Sequence, residues 1–266
     1  RFLAAGMSAP GPVREQNEDF WYASGAGVRQ DTWVVNGRAD PVLGACVADG
    51  MGGHEGGREA AFSVASMWEE LCSGEALSLA AHEHADLRTI GGLIQQSLSQ
   101  VHHALNERSR ERRYARPMGT TLTGVLMLPA TGMLVAHVGD CRLYHFRNRL
   151  KQVTRDHTLL QSLLDEGRDP QTIPQQAGST LERCMGCGID QLSLDLVEIP
   201  PDALIDATLL LVSDGIAGEL PDERIDAILG SGDPPGTMVD AMVAEAYAAG
   251  STDNATAVIL RVERRG

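Results

Sequence analysis

The sequence predicts an α+β fold in which helices cover antiparallel sheets. Short apolar runs bounded by turn residues are interspersed with a few long amphipathic segments over the 266 residues. Two of the runs, 122–128 and 133–138, are joined through Pro129-Ala-Thr-Gly132, which is typical of a hairpin and hence of antiparallel pairing. Because several strands stand between a few helices, we predict antiparallel sheets within a single domain, 1–266.

Seven segments are predicted as strands because they are short, apolar and bounded by turn residues. They are 42–48, 122–128, 133–138, 142–146, 193–199, 208–213 and 255–262.

Apolar residues at helical spacing predict the longer helices. One covers 56–72 and another 86–113, each with a single apolar face. A shorter helix is expected to start near Asp156, and a further one covers about 236–248. The stretch 165–180 is polar and turn-rich, so we predict a mobile surface flap there.

Composition excludes several function classes. The net charge is −14 and Lys151 is the only lysine, which argues against a nucleic-acid surface. Apolar runs such as 209–212 fall far short of the roughly 20 residues that span a bilayer, so no membrane association is expected. The five cysteines, few and odd in number, favour a reducing compartment over a disulfide framework, and we expect a cytoplasmic protein.

Aspartates at the ends of apolar strands are the most informative pattern. Asp49, Asp140 and Asp214 each follow such a strand, and Asp49 and Asp214 are each followed by glycine. Asp253 precedes the strand 255–262. If this strand runs antiparallel to 208–213, its start lies beside the other strand's end, so Asp253 is expected near Asp214.

Several carboxylates at one sheet edge would repel each other unless a cation lay among them. Carboxylate, carbonyl and water oxygens are ligands for Mg²⁺, Mn²⁺ or Ca²⁺ rather than for zinc or copper. A single Asp-Gly is more often an ordinary turn, but three strand ends together with Asp253 favour a metal site. Near the N-terminus, Arg14 stands close to Glu18 and Asp19, where a guanidinium next to metal-bound waters would bind a phosphate; the alternative is a surface salt bridge.

The chain resembles the bacterial branch of the type 2C metal-dependent protein serine/threonine phosphatases (the PPM family). Matching motifs occur in the family's order over nearly the whole chain. They are Arg14 through Asp19, Val47-Ala-Asp-Gly-Met-Gly-Gly-His-Glu-Gly-Gly57, Gly119-Thr-Thr-Leu-Thr123, Val138-Gly-Asp-Cys-Arg142, Thr154-Arg-Asp-His157, Leu211-Val-Ser-Asp-Gly215 and Ser251-Thr-Asp-Asn254. The resemblance implies a four-layer αββα sandwich.

The resemblance also implies a role for each matched site residue. Asp49 would bridge two Mn²⁺ or Mg²⁺ ions, with the Gly50 carbonyl on the second ion, and Asp214 and Asp253 would complete the first site. The remaining roles would fall to four residues: Asp19 and Glu18 at the second site or its waters, Asp140 at a third and weaker site, and Arg14 on the substrate phosphate.

On this reading, a hydroxide that bridges the metals would attack the phosphorus of phosphoserine or phosphothreonine. The partners implied are phosphorylated proteins and a cognate bacterial Ser/Thr kinase, and a monomer is expected. A binding-only module of the same fold and a hydrolase of small phosphoesters are the alternatives. A binding-only module would be expected to lose metal ligands, which this chain retains.

Four features depart from the family's pattern or lie outside it. Met51 stands where eukaryotic members have a histidine, which leaves His54 as a candidate general acid by proximity. Cys141 replaces the usual serine and is expected to pack. Cys184 and Cys187 form a lone Cys-x-x-Cys, for which packing is the better account and zinc the alternative. The arginine-rich stretch 107–116 is expected to be a solvated helix end, or else a docking site for acidic phosphoprotein segments.

Overall fold

The computed structural model describes residues 2–37, 42–52, 55–82, 86–114, 116–128 and 131–262. Its strands are β1 (Phe2–Ala9), β2 (Phe20–Ala23), β3 (Gly27–Arg29), β4 (Trp33–Gly37), β5 (Leu43–Ala48), β6 (Gly50–Met51), β7 (Gly119–Thr120), β8 (Leu122–Leu128), β9 (Gly132–Val138), β10 (Arg142–Phe146), β11 (Leu150–Gln152), β12 (Met185–Gly186), β13 (Asp195–Ile199), β14 (Thr208–Val212) and β15 (Ala255–Val262).

The helices are fewer and include three long ones. They are α1 (Glu55–Ser73), α2 (Glu75–His82), α3 (Leu87–Arg112), α4 (Leu159–Asp165), α5 (Pro201–Leu204), α6 (Asp214–Ala217), α7 (Asp222–Leu229) and α8 (Pro235–Ala249). Two short 3₁₀ turns, Pro170–Thr172 and Gln175–Ala177, lie in the predicted flap.

Two six-stranded antiparallel sheets form the centre of the molecule. The first has the order β11-β10-β14-β15-β1-β4 and the second the order β13-β9-β8-β5-β2-β3. A small third sheet, β12-β7-β6, lies beside them. The predicted hairpin is present as β8 and β9, which pair from Leu122↔Val138 to Leu128↔Gly132.

Three apolar cores make the fold a four-layer α-β-β-α sandwich. Alternate residues of one strand face different cores, because successive side chains of a strand point to opposite faces. In β14, Leu209 and Leu211 pack between the two sheets, whereas Leu210 and Val212 pack under α6, α7 and α8. The other outer core lies between the second sheet and α1, α2 and α3. Strands buried on both faces appear in the sequence as continuous apolar runs.

The predicted α+β class is confirmed, and most predicted boundaries lie within two residues of the observed ones. The helix expected near Asp156 starts at Leu159. The sequence patterns missed β1, a central strand rich in small residues that have low β propensity. Its Gly6 lies against the ring of Trp21, where a Cβ would come within 2.7 Å of the indole. Among the described residues, no helix has the length and apolarity needed to cross a membrane.

Candidate active site

The aspartates singled out from the sequence lie together on one side of the sandwich. Asp49 connects β5 to β6, Asp140 lies in the turn between β9 and β10, and Asp214 is the first residue of α6, directly after β14. Asp253 lies in the loop before β15. Antiparallel pairing of β14 with β15, which ends at Val212↔Ala257, brings Asp253 next to Asp214 as predicted.

Asp49 occupies the centre of this group. Its amide N–H donates to the Thr121 hydroxyl at 3.0 Å. Its carbonyl accepts from the Thr121 amide at 2.9 Å and from the Thr120 hydroxyl at 2.8 Å. Three hydrogen bonds to one residue's backbone fix the direction of its side chain, which is open to the cleft on one side. Next to it, Gly50 is packed so closely that a Cβ would lie 2.3 Å from the Gly57 carbonyl oxygen.

Asp19 is fully buried beneath the group. Its Oδ2 accepts hydrogen bonds from the hydroxyls of Ser213 at 2.8 Å and Thr256 at 2.6 Å. The Thr256 hydroxyl also contacts Ser8 on β1 at 2.8 Å. This hydroxyl network connects Asp19 to β14, β15 and β1, and sequence reasoning missed it. Part of its signal was Ser213, which a matched motif contains next to Asp214 without an assigned role, whereas Thr256 and Ser8 lie outside the matched motifs.

Burial and mutual repulsion raise the pKa values of these carboxyls. Removal from water raises the pKa of Asp49 well above its usual value, and the charges of the four other aspartates, 19, 214, 140 and 253, add to the effect. Burial, with the charge of Asp214, raises the pKa of Asp140 to about 8. Burial raises the pKa of Asp19 to about 7 against the opposing effect of its two hydroxyl donors. Burial and the charge of Asp253 raise the pKa of Asp214.

The acidic group has the donor chemistry of a divalent-metal site. The Oδ1 atoms of Asp19 and Asp214 are buried and have no hydrogen-bond partner among the described residues. Such buried acceptors are costly unless a cation or another donor satisfies them. In the described part of the chain, no three His, Cys, Asp or Glu side chains hold a metal geometry as they stand. The oxygens of these carboxylates are of the type that Mg²⁺ and Mn²⁺ prefer.

Arg14 and Glu18 border the aspartates from the N-terminal segment. The half-exposed guanidinium of Arg14 forms a salt bridge with Asp253. The amide of Glu18 donates to the Asn254 side chain at 2.8 Å, which ties this segment to the Asp253 loop. The structure thus places Arg14 and Glu18 at the aspartates that the sequence predicted as their neighbours.

The site lies in an open cleft of about 1010 Å³. We call the four aspartates that line it, Asp49, Asp140, Asp214 and Asp253, its acidic floor. The further side chains that line it and are named next are called its rim. They are Val13, Arg14, Glu15, Gln16, Glu18, Met51, Arg116, Ser179, Leu181, Cys184, Cys187 and Ile189. Ser179 of the predicted flap and Leu181, the residue just after it, therefore border the cleft, whereas the mobility of the flap stays a prediction.

His157 fixes the turn that carries Asp140, a role that sequence reasoning did not assign. The Gly139 amide donates to Nδ1 of His157 at 3.1 Å, and the His157 amide donates back to the Gly139 carbonyl at 2.8 Å. With Nδ1 accepting, Nε2 carries the proton and donates to Asp195 at 3.1 Å.

Two of the departures have a direct structural outcome. Cys141 packs as expected: it is fully buried, its thiol contacts the Thr121 hydroxyl at 3.1 Å, and burial raises its pKa. Cys184 and Cys187, for which packing was preferred over zinc, form a disulfide with each other, a bond that the few and odd cysteines did not predict. The turn around β12 brings their Cα atoms to 6.4 Å, a distance that a disulfide spans. His54 lies outside the described residues.

The arginines of the stretch 107–116 lie in different surroundings. Arg108 and Arg112 form ion pairs with Glu59 of α1, which supports the solvated helix end. Arg116 instead lies at the rim of the cleft.

Comparisons with known proteins agree with this architecture. The family profile described as "Protein phosphatase 2C" matches residues 23–162. The chain is 29% identical to the serine/threonine phosphatase stp of Listeria monocytogenes, over 96% of this chain and 92% of that protein. It is 32% identical to the serine/threonine protein phosphatase PstP of Mycobacterium tuberculosis, over 83% of this chain but 37% of that longer protein.

A solved structure extends the comparison to three dimensions. The catalytic domain of the serine/threonine protein phosphatase PstP, crystallised with two manganese ions, superimposes with a TM-score of 0.71. The two chains are 26% identical, and the match covers 99% of this chain and 100% of that one. This chain belongs to the protein phosphatase 2C family, as a bacterial serine/threonine protein phosphatase and hence a hydrolase.

Proposed function

We propose that this phosphatase hydrolyses phosphoserine and phosphothreonine in proteins with two divalent ions, Mn²⁺ or Mg²⁺, held by the aspartates of the cleft. The observation that carries the proposal is the convergence of four aspartates around a fifth, Asp49, and two of these four have a buried oxygen that lacks a donor. A related catalytic domain was crystallised with two manganese ions, which supports the same composition here.

Each of the aspartates has a place in this proposal. Asp49 would contact both ions, Asp214 and Asp253 the first, and the Gly50 carbonyl the second. Asp19 and Glu18 would support the second ion or its waters. Asp140, which adjoins Asp214, would hold a third and weaker ion. When bound, such ions act as Lewis acids that make water a nucleophile near neutral pH and offset charge on the phosphoryl oxygens.

Arg14 would bind the phosphate of the substrate. Its guanidinium lies at the rim beside Asp253 and is half exposed, so it is accessible to a phosphate that enters the cleft. A planar guanidinium binds two phosphate oxygens at once, which orients the phosphorus toward the acidic floor. The openness of the cleft suits a phosphorylated side chain that is still attached to a protein.

Three finer expectations stay predictions. They are the opposition to a cognate Ser/Thr kinase, the monomeric state and the cytoplasmic location. The general acid for the leaving serine or threonine oxygen is unassigned, with His54 as the candidate from the sequence.

Turnover of an aryl phosphate and of a phosphothreonine peptide, with Mn²⁺ and with excess chelator, tests the function. We expect turnover of both substrates with Mn²⁺ and none with chelator. Turnover of the aryl phosphate alone would favour the small-phosphoester alternative. Peptide binding without any turnover would favour the binding-only module.

Asp214→Asn tests the first metal site, since it removes one ligand charge without changing the side-chain volume. We expect kcat to fall by several orders of magnitude while the circular dichroism spectrum is retained. Asp240→Asn, on the exposed face of α8, makes the same chemical change far from the cleft and serves as the control. Unchanged turnover in Asp214→Asn would refute the assignment.

A further inference from the structure

We infer that Cys184 and Cys187 form a redox-active modification site in the wall of the active-site cleft, and that their disulfide holds this wall in the shape that binds phosphoprotein substrates. This wall is the part of the cleft lining that Met51, Cys184, Cys187 and Ile189 form. The disulfide encloses β12, because Cys184 precedes and Cys187 follows this two-residue strand.

The small sheet connects the cysteine pair to the acidic floor. β12 pairs with β7 through Met185↔Thr120 and Gly186↔Gly119. β7 pairs in turn with β6 through Thr120↔Gly50 and Gly119↔Met51. Two strand pairings therefore separate the disulfide from Gly50, the residue next to Asp49.

Close packing makes the wall sensitive to whether the two cysteines are joined in a disulfide or reduced to thiols. The Cys187 sulfur lies over Gly119, where a Cβ would be only 2.2 Å from it, and it contacts the Met51 sulfur at 3.6 Å. Two unbonded sulfurs cannot stay at bonding distance, so reduction forces at least one of them to move. There is no free space toward β7, and the open direction for Cys187 is the cleft itself.

The backbone at Cys187 also depends on local restraints. Its φ is 59°, in the left-handed region that residues other than glycine rarely adopt. The Cys187 amide donates to the Met118 carbonyl at 2.9 Å, and the Gly188 amide donates to Asn106 at 2.9 Å. The disulfide is the covalent part of this set of restraints. Its loss would loosen the turn that carries Ile189, another residue that lines the cleft, whose carbonyl still accepts a hydrogen bond from Asn106 at 2.6 Å.

Of the five cysteines, only Cys184 and Cys187 line the cleft. Cys46, Cys72 and Cys141 are buried, and burial raises the pKa of each thiol, which makes them unreactive. Cys187 is partly exposed, whereas Cys184 is buried. A reagent that enters from the cleft therefore reaches Cys187 first.

The chemistry is thiol–disulfide exchange with a small dithiol or a dithiol protein. One thiolate of the reductant attacks the Cys187 sulfur, the sulfur–sulfur bond breaks, and Cys184 leaves as a thiolate. The second thiol of the reductant then attacks the mixed disulfide and releases Cys187. The two protons of the reductant end on the two cysteines, and the reductant leaves as its own disulfide. A disulfide oxidant reverses the sequence.

A thiol count on the native protein tests the site without reference to activity. The oxidised protein is expected to take up no iodoacetamide, and the protein treated with dithiothreitol to take up two equivalents, on residues 184 and 187, by mass spectrometry. Absence of this two-label difference would overturn the site. This readout does not depend on the proposed function, on which the kinetic test below rests.

The kinetic test uses both redox forms after gel filtration removes the reductant and Mn²⁺ is restored. Reduction is expected to raise KM for a phosphothreonine peptide at least threefold, because a loosened wall must be ordered on binding. Turnover of an aryl phosphate, which contacts less of the cleft lining than a peptide does, is expected to change less than twofold. Equal peptide KM values in the two forms would overturn the proposal.

Cysteine variants test whether the response to reductant comes from this pair or from another cysteine. The double variant Cys184→Ser/Cys187→Ser is expected to show the raised peptide KM and no response to reductant. Cys141→Ser, which changes a buried thiol that feels the charge of Asp49, is expected to respond as the unmodified protein does. A response to reductant that persists in the double variant, or that disappears in Cys141→Ser, would overturn the proposal. The redox forms of the unmodified chain keep the test valid even if a variant fails to fold.

Discussion

At the scale of single residues, the cleft is lined by negative charges that repel each other when no cation is bound. The charges of four neighbouring aspartates raise the pKa of Asp49, and Asp19 and Asp214 each keep a buried oxygen without a donor. Hydroxyls offset part of this repulsion at Asp19, and the Arg14 guanidinium does so at Asp253. Arginine and the hydroxyl residues therefore have separate roles that substitutions can distinguish.

Replacement of Arg14 by alanine is expected to affect binding more than chemistry. The guanidinium would contact phosphate in the ground state as well as in the transition state, so uniform binding is lost. At saturating Mn²⁺ we expect KM for a phosphothreonine peptide to rise about tenfold or more and kcat to fall less. Arg224→Ala, which breaks a surface pair with Glu245, is the control. A fall in kcat larger than the rise in KM would show that the contact forms only in the transition state.

Replacement of Thr256 by valine removes one of the two hydroxyl donors to Asp19 and keeps the side-chain shape. Loss of an outer-shell partner typically weakens metal affinity by about 10–100-fold. We expect a decrease of this size in Mn²⁺ affinity by calorimetry, with turnover largely restored at high Mn²⁺. Thr208→Val, also in the first sheet but away from the cleft, should leave the affinity unchanged. Equal affinities for Thr256→Val and the parent protein would exclude a role for the Thr256 hydroxyl in metal binding through Asp19.

At the scale of elements, glycines determine how closely helices approach the sheet. Trp68 of α1 lies directly over Gly124 of β8, where a Cβ would come within 2.7 Å of the indole. Trp68 is fully buried, so the ring has no space into which it can move. By contrast, Gly92 of α3 has no atom within 4 Å of where its Cβ would be. The same substitution at these two glycines should therefore have opposite effects.

Gly124→Ala is expected to destabilise the protein by about 1–3 kcal/mol through overpacking of the core. Gly92→Ala is expected to stabilise it by about 0.5–1 kcal/mol, since alanine is the better helix former and meets no neighbour. Urea denaturation of both variants at one Mn²⁺ concentration provides the measurement. Stabilisation by Gly124→Ala would contradict the close contact between α1 and β8.

At the scale of the whole molecule, the two sheets deliver acidic residues from distant parts of the chain to one cleft. Asp49 follows β5 of the second sheet, and Asp140 lies in the turn that connects β9 of the second sheet to β10 of the first. Asp214 follows β14 and Asp253 precedes β15, which are neighbouring strands of the first sheet. Charges gathered in this way oppose folding, because the unfolded chain keeps them apart and hydrated. Divalent ions that bind only the folded state should reverse the effect.

Manganese is therefore expected to raise the thermal midpoint. A ligand that binds only the folded state at 100 times its dissociation constant adds about 2.7 kcal/mol per site. For a protein of this size that corresponds to roughly 5–10 °C for each site. Calorimetry with Mn²⁺ and with chelator checks the shift, and Asp253→Asn should lose much of it. Asp240→Asn should keep the full shift, and an equal shift in the two variants would contradict the site.

Much of the architecture could be predicted from periodicity. The long helices and the doubly buried strands have strong patterns, so α1, α3, β8, β10 and β15 were predicted to within one residue of each end. The prediction also omitted β2 and β4 despite their aromatic and β-branched residues, whereas at β1 and in the small sheet tertiary pairing outweighs local preference. β1 is a central strand although small residues dominate it, and β6, β7 and β12 are two-residue strands that no period can reveal.

The sequence by itself determined which residues we propose for the chemistry, because strand-end aspartates, their glycines and the order of the motifs are local features of the chain. Only the tertiary structure decided how these residues meet: the hydroxyls around Asp19, the support of Asp140 by His157, and the bond between Cys184 and Cys187. The physical reason is that hydrogen bonds and disulfides depend on distances between atoms, and pairing among strands far apart in the chain sets those distances.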